Sequence, residues 1–310
     1  MAILDDIKRK IAARQYGFSK HEPDPDLWAN RPNKRRREER RTLKDRGRET
    51  EGGGREVGGG HARKCGLTAK RRVWDFTDMK PTIQIAAART PDGEELALYK
   101  HDADYSIKVN RQELMTSRAH ESELALARLG CMRIQDRQNP TVLIGGLGMG
   151  YTLRQALDLL QPDATVVVSE LIAEVVAWNR EFLGALNKDP LRDRRVALKL
   201  GDVAGLIRQS EHAFDAIMLD VDNGPEALTS KGNDRLYSRE GLQACMRALH
   251  AKGCLSVWSG SIDSAFEKRL RQENLFFRRF HVAPYKGGKA RSRCIWVISR
   301  DPRSLPPEEA

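Results

Sequence analysis

Val142–Leu157 reads VLIGGLGMGYTLRQAL: an apolar run breaks into four glycines within six positions and resumes as a helix-like pattern. Strand, glycine turn and helix in this order make a loop where a ligand can approach the backbone, because glycine adopts conformations closed to other residues. Three ligand types use such a turn, and spacing separates them. A phosphate loop needs a lysine after its last glycine, as in GxxxxGK[ST]; Gly145–Thr152 reads GGLGMGYT, which puts Tyr151 where the phosphate-neutralising lysine should stand. A dinucleotide fingerprint needs GxGxxG, whereas Gly146, Gly148 and Gly150 give GxGxG. The third candidate is an S-adenosyl nucleoside, which carries no phosphate and needs no lysine. Gly145, Gly146, Gly148 and Gly150, with Tyr151 beside them, are therefore read as its cradle.

Outward from this turn, apolar strand candidates alternate with helix candidates from Pro140 onward: TVLIGG, TVVVSEL, RVALKL, DAIMLD and CLSVWSG, then FFRRFHV and RCIWVIS. Such alternation predicts an α/β fold built on a mostly parallel sheet with helices on both faces. The segment APYKGGKARS between the last two strands is too short for a crossover, so these two should form an antiparallel hairpin at one edge. Ligands of open parallel sheets sit at the carboxyl ends of the strands. Glu170 ends the second strand, 20 positions after Gly150, where a carboxylate can take both ribose hydroxyls. Asp202 in KLGDV ends the third, placed to meet an adenine amino group, and Asp220 in AIMLDVDNGP ends the fourth, facing the reacting sulfur. Each acid taken singly also suits a helix N-cap or a turn. Their joint placement around a lysine-free turn is what points to a sulfonium nucleoside.

Before this region, TIQIAAA, ELALYK and DYSIKVN alternate like strands around a TPDG turn and predict a small antiparallel sheet. RAHESELALARLGCM, Arg118–Met132, has helical spacing and should bridge the small sheet to the large one. The expected organisation is a disordered basic arm or spurious extension over residues 1–78, a small β-sheet over 79–117, the Rossmann-like nucleoside-binding transferase domain over 118–300 and a disordered tail over 301–310.

Charge and composition bound the function further. Of the net charge of +11, residues 1–72 contribute most, with 21 Lys or Arg against 11 Asp or Glu; the remainder holds 33 against 32. RPNKRRREERRTLKDRGRE and GGGREVGGG offer too little to bury to offset the entropy of ordering, so the arm is read as a solvated tail or an upstream extension, with Met79 an alternative start. Nucleic acid is expected only as a contact of this arm, through phosphates. No stretch reaches the roughly 18 apolar residues of a membrane span, and the amino end lacks a secretory pattern, so a cytoplasmic location is expected. Five scattered cysteines without a CxxC pair argue against a zinc site or a disulfide framework, and no metal is expected.

Across residues 95–300 the chain resembles the spermidine synthase-like aminopropyltransferases. The likeness rests on VLIGGLGMGYTLRQAL, VVVSEL, GDV, DAIMLDVDNGP, LYSREGLQACMRALHAKGCLSV and AHESE. It implies a Rossmann-like class I methyltransferase sheet, mostly parallel with an antiparallel last strand, behind a small amino-terminal antiparallel sheet. It also implies a decarboxylated S-adenosylmethionine donor and a small amine acceptor. By the same resemblance Glu170 serves ribose, Asp202 adenine and Asp220 the attacking amine; Asp222 supplies a second catalytic carboxylate, and His120 with Glu121 stands near the donor. Glu121, Glu123, Asp222 and Asp234 are candidates for a distant ammonium of the acceptor. Two features depart from the family. Gly148 stands where its loop carries an aspartate for the donor's amine, and Asp220 and Asp222 are two apart where the family has two aspartates three apart. The intact donor S-adenosylmethionine in a methyltransferase, and a nucleoside-binding scaffold without activity, stay open beside aminopropyl transfer. Open edges of the small sheet give a homodimer a place to form.

Overall fold

The computed structural model describes residues 81–221, 235–288 and 293–308. The basic arm, Met79, Cys65, Asp222 and Asp234 lie outside the described residues.

The small sheet is a four-stranded antiparallel meander of β1 (Ile83–Arg89), β2 (Glu95–His101), β3 (Asp104–Val109) and β4 (Gln112–Thr116) in sequential order. The sequence reading found three of these strands. It missed β4, whose QELMT leaves only a two-residue turn after β3 and carries no run of β-branched residues. Asn110 and Arg111 fill that turn with positive φ angles of 47° and 69°, the conformation that two-residue hairpin loops require. Leu96, Leu98, Ile107 and Val109 are buried in the same apolar cluster as helix α1 (Glu121–Cys131), so this sheet closes over one side of the larger one.

The large sheet has seven strands in the order β10-β11-β9-β8-β5-β6-β7. Its parallel strands are β5 (Thr141–Gly145), β6 (Thr165–Glu170), β7 (Val196–Leu200), β8 (Phe214–Leu219) and β9 (Leu249–Ser259), with in-register pairings such as Leu143 with Val167 and with Ile217. β10 (Phe276–Val282) and β11 (Arg293–Ser299) form the expected antiparallel edge hairpin. β11 inserts beside β9 and runs against both neighbours. The mostly parallel Rossmann-like sheet with a reversed last strand is therefore observed; the segment expected as a disordered tail is instead packed over 301–308, where Pro302–Ser304 forms a 3₁₀ turn and Leu305 is buried.

Side-chain alternation assigns each strand residue to a face. Val142, Ile144, Val166, Val168 and Met218 meet α1, α2 (Tyr151–Leu159) and α3 (Ala173–Trp178) on one side. Leu143, Val167, Ile217 and Leu219 meet α4 (Val203–Arg208), α5 (Arg239–Ala248) and α6 (Ser264–Gln272) on the other. Both faces are covered, and every residue of β5 is buried, which explains why its sequence is continuously apolar and not alternating. Chain order reverses between β5 and β8. That switch point leaves a crevice at the carboxyl ends of the strands.

Candidate active site

A cavity of about 260 Å³ opens at this crevice. Gly146 and Gly148 line it from the β5 turn, Glu170 from β6, Asp202 from the end of β7 and Asp220 from the end of β8. Leu114, Met115 and Thr116 of β4 cover it from the small sheet. Local rules explain how each group arrives there.

The turn itself runs through three left-handed glycines, with φ of 88° at Gly146, 52° at Gly148 and 83° at Gly150. A side chain is excluded most firmly at Gly146, where a Cβ would stand 2.3 Å from the carbonyl oxygen of Asp220. The β5 and β8 chain ends thus touch backbone to backbone at the crevice. Two asparagines hold the turn from outside: Asn179 Nδ2 donates to the Gly148 carbonyl at 2.8 Å, and Asn187 Nδ2 donates to the Met149 carbonyl at 2.7 Å. Asn179 opens a π-helical turn, Asn179–Leu183, that continues α3. The sequence reading passed over both residues, although a polar side chain inside the apolar run VVAWNREFL is the signal that marks a buried hydrogen-bonding task.

Glu170 is buried, and each of its carboxylate oxygens accepts a backbone N–H, Oε2 from Leu147 and Oε1 from Ile172, at 2.8 and 2.9 Å. It thereby ties the glycine turn to the exit of β6 while lining the cavity. Asp202 serves as the N-cap of α4, with Oδ1 accepting from Ala204 N at 2.8 Å and Oδ2 from Gly205 N at 3.3 Å. Capping and cavity lining coexist there, because the Asp202 side chain is 57% exposed.

Asp220 is the most perturbed acid of the site. Burial, helped by the negative charge of Glu123, pushes its pKa up to about 7 against a hydrogen bond from Thr152 that favours the charged form. Thr152 Oγ1 donates to Asp220 Oδ2 at 2.7 Å and lies 3.4 Å from the Glu123 carbonyl; one hydroxyl proton serves one acceptor, and the shorter contact takes it. Glu123 is 7% exposed, accepts from Ser122 Oγ at 2.5 Å and is also raised, chiefly by burial.

Three expected donor neighbours stand elsewhere. His120 stacks on Tyr151 with ring centroids 4.2 Å apart, its Nδ1 2.7 Å from the Ser117 carbonyl, which also accepts from the Tyr151 hydroxyl at 3.2 Å. The stacked rings brace the β4–α1 turn behind the glycines, and neither ring is among the residues lining the cavity. Glu121 opens onto a different depression with Arg128 and Tyr285, because helical geometry turns its side chain away from that of Glu123 two positions on. Gly145 and Gly150 shape the turn without lining the cavity. Two residues join the site that sequence reasoning left out of it. Arg293, at the start of β11, and Trp258, on β9, both line the cavity, with the guanidinium 5.8 Å from the indole centroid.

Fold and cavity define a Rossmann-like protein of the class I methyltransferase topology, with a crevice walled by acids at the strand ends. Comparisons with known proteins add likenesses in sequence and in fold. Residues 123–273 match the family model described as Spermine/spermidine synthase domain, so the resemblance read from the sequence holds over the heart of the chain. A polyamine aminopropyltransferase of Nitrosomonas europaea is 33% identical over 94 residues, 30% of this chain and 27% of that protein. One from Saccharolobus solfataricus is 27% identical over 113 residues, 36% of each. The match therefore spans between about a quarter and a third of the length of these curated relatives. Among solved structures, a spermidine synthase in complex with the transition state analogue AdoDATO is similar with a TM-score of 0.57 at 20% identity, over 73% of this chain and 78% of that one. The spermidine synthase of Thermotoga maritima follows with a TM-score of 0.54 at 18% identity, covering 73% and 76%. These likenesses establish the fold.

Proposed function

We infer that the protein moves an aminopropyl group from decarboxylated S-adenosylmethionine to a small amine of the polyamine class. One observation carries this reading: an acid with a pKa near 7, Asp220, shares a cavity with the glycine turn and the β6 acid. The family-model match and the curated aminopropyltransferase relatives support it. An alkylamine with a pKa near that of lysine, about 10.4, is almost wholly protonated at neutral pH and cannot displace a sulfonium until it loses a proton. A carboxylate poised near the working pH accepts that proton, and general-base help of this kind contributes roughly 10²–10⁴-fold.

In this reading Glu170 receives the ribose hydroxyls beside the Gly146–Gly148 backbone, Asp202 the adenine amino group and Asp220 the attacking nitrogen. Asp222 supplies a further carboxylate. His120, Tyr151 and Glu121 act behind the site instead of on the donor. No metal takes part. A homodimer through the open edges of the small sheet and a cytoplasmic location complete the picture.

A methyltransferase reading is favoured by one specific observation: Gly148 offers no carboxylate to the donor's amine, which suits a donor that keeps its own carboxylate near backbone N–H groups. Calorimetric titration of the full-length chain with S-adenosylmethionine and with its decarboxylated form separates the two. Preference for the decarboxylated donor, with aminopropylated diamine detected by mass spectrometry, is the expected result. Preference for the intact donor means methyl transfer, and binding of neither leaves a scaffold.

A further inference from the structure

The fourth strand end carries more than the single acid that the sequence reading gave it. Asp220 and Glu123 come from elements far apart in the chain, the end of β8 and the first turn of α1, and both line the cavity. Thr152, the second residue of α2, lies between them. Its hydroxyl is given to the Asp220 carboxylate, and 3.4 Å away on its other side is the backbone carbonyl oxygen of Glu123, so the two acidic residues flank one threonine. Asp220 Oδ1 accepts no hydrogen bond among the described residues, so this oxygen is left for whatever occupies the cavity. Glu123 is more than nine-tenths buried, yet among the described residues no cation lies within ion-pair distance of it. A buried carboxylate is costly unless it is paired or neutralised. Glu123 lies in the first turn of α1, where a negative charge is favoured, and the same position sets its carboxylate on the wall of the cavity.

We propose that Glu123 is the partner with which Asp220 holds the acceptor's proton, the two carboxylates taking up one proton as a unit beside the reacting nitrogen. The inference rests on the group-transfer reading above. It assigns to an α1 residue the second-carboxylate role otherwise expected of the loop after β8. In the step, the acceptor R–NH₃⁺ gives one proton to the Asp220–Glu123 pair and becomes R–NH₂. Its nitrogen lone pair forms the N–C bond to the propyl carbon, the C–S bond breaks, and its electron pair passes to sulfur, leaving a neutral thioether. The product keeps its two remaining N–H protons as a secondary ammonium, and the pair releases its own proton to solvent. Taking up that proton as a pair leaves one negative charge beside the newly formed amine where two carboxylates had faced each other.

Asp92, Glu113, Glu170 and Asp202 line the same cavity from other elements. Arg293 from the start of β11 favours ionised Glu123, Glu121 on the same helix opposes it, and Tyr151 on α2 is held protonated with its pKa pushed up to about 12, mainly by burial.

Carboxyl ¹³C NMR of the full-length protein reads the coupling without turnover, with the Asp220 resonance identified by its loss in Asp220→Asn. In Glu123→Gln its midpoint should fall by about one pH unit or more, the size at which two sites titrate as a pair. Glu123→Asp should keep the high midpoint by restoring the charge. By reciprocity the Glu123 midpoint should fall in Asp220→Asn, so one variant suffices if the other does not fold. An Asp220 midpoint unmoved in Glu123→Gln, or a Glu123 midpoint unmoved in Asp220→Asn, overturns the proposal even if aminopropyl transfer proceeds. Absence of transfer with any amine, together with a coupled titration, overturns the reaction reading and leaves the pair standing. With an active donor and acceptor, Glu123→Gln should also lower kcat by roughly 10²-fold and move the acidic limb of the pH profile downward.

Discussion

Gly146→Ala tests whether the glycine turn is held by backbone contact. The added Cβ would stand 2.3 Å from the Asp220 carbonyl oxygen, so the ends of β5 and β8 must part by about 0.7 Å to reach the 3.0 Å floor of real Cβ contacts. The residue must also keep a φ of 88°, a region that costs a residue with a side chain roughly 1–2 kcal/mol. Adding a typical overpacking cost of about 1–3 kcal/mol gives about 2–5 kcal/mol in all. A domain of ordinary stability, about 5–15 kcal/mol, survives this loss. The variant should therefore fold, with a lower urea midpoint and an unchanged m-value. Because the displaced oxygen belongs to the residue that faces the acceptor, both donor affinity and turnover should fall, each by tenfold or more if about 1.4 kcal/mol of the strain is relieved on the site's geometry. Urea melts and donor calorimetry on the same preparation read both effects. Donor affinity equal to wild type, or a stability loss under about 0.5 kcal/mol, would refute the backbone-contact account.

Asp220→Asn keeps the acceptor for Thr152 and should abolish turnover while leaving donor affinity within a few-fold, measured by steady-state assay and calorimetry. It should also remove a pH dependence. The folded pKa of Asp220 lies above its ordinary value, so folding favours the protonated acid, and wild-type stability should fall as pH rises from about 4 to about 7, while the variant's, left with the raised acid Glu123 alone, should fall less; parallel urea midpoints across that range would contradict this. Glu170→Gln leaves one of the two backbone N–H groups of Leu147 and Ile172 facing an amide N–H, so a loss of about 1–3 kcal/mol and a large drop in donor affinity are expected from melts and titration. Asn187→Ala removes the donor to the Met149 carbonyl and should weaken donor binding without touching the cavity wall, which calorimetry would show.

How far the sequence carried the reading varies with the kind of signal. β5 was legible because a continuous apolar run followed by glycines admits few other conformations, and Glu170, Asp202 and Asp220 were legible because strand ends can be counted. The strand β4 was not, since QELMT has neither alternation nor β-branched content, and it forms by pairing with β3 and covering the cavity. His120 and Glu121 were placed by motif likeness alone. Rotation about the first turn of α1 decides which side chains reach the cavity, and it brings Glu123 there and turns Glu121 away. Arg293 looked like one basic residue among several in a turn; its place beside Trp258 depends on β11 pairing with β9, which no local pattern records.

The sequence by itself determined the order of strands and helices, the lysine-free glycine turn and the acids at the strand ends, because these follow from local periodicity and from the conformations that glycine alone permits. Tertiary structure decided which acids share a cavity, that Asp220 lies beside Glu123 with Thr152 between them, and that their pKa values rise. Those outcomes depend on burial and on distances between residues remote in the chain, and desolvation is a property of the packed surroundings that no single segment carries.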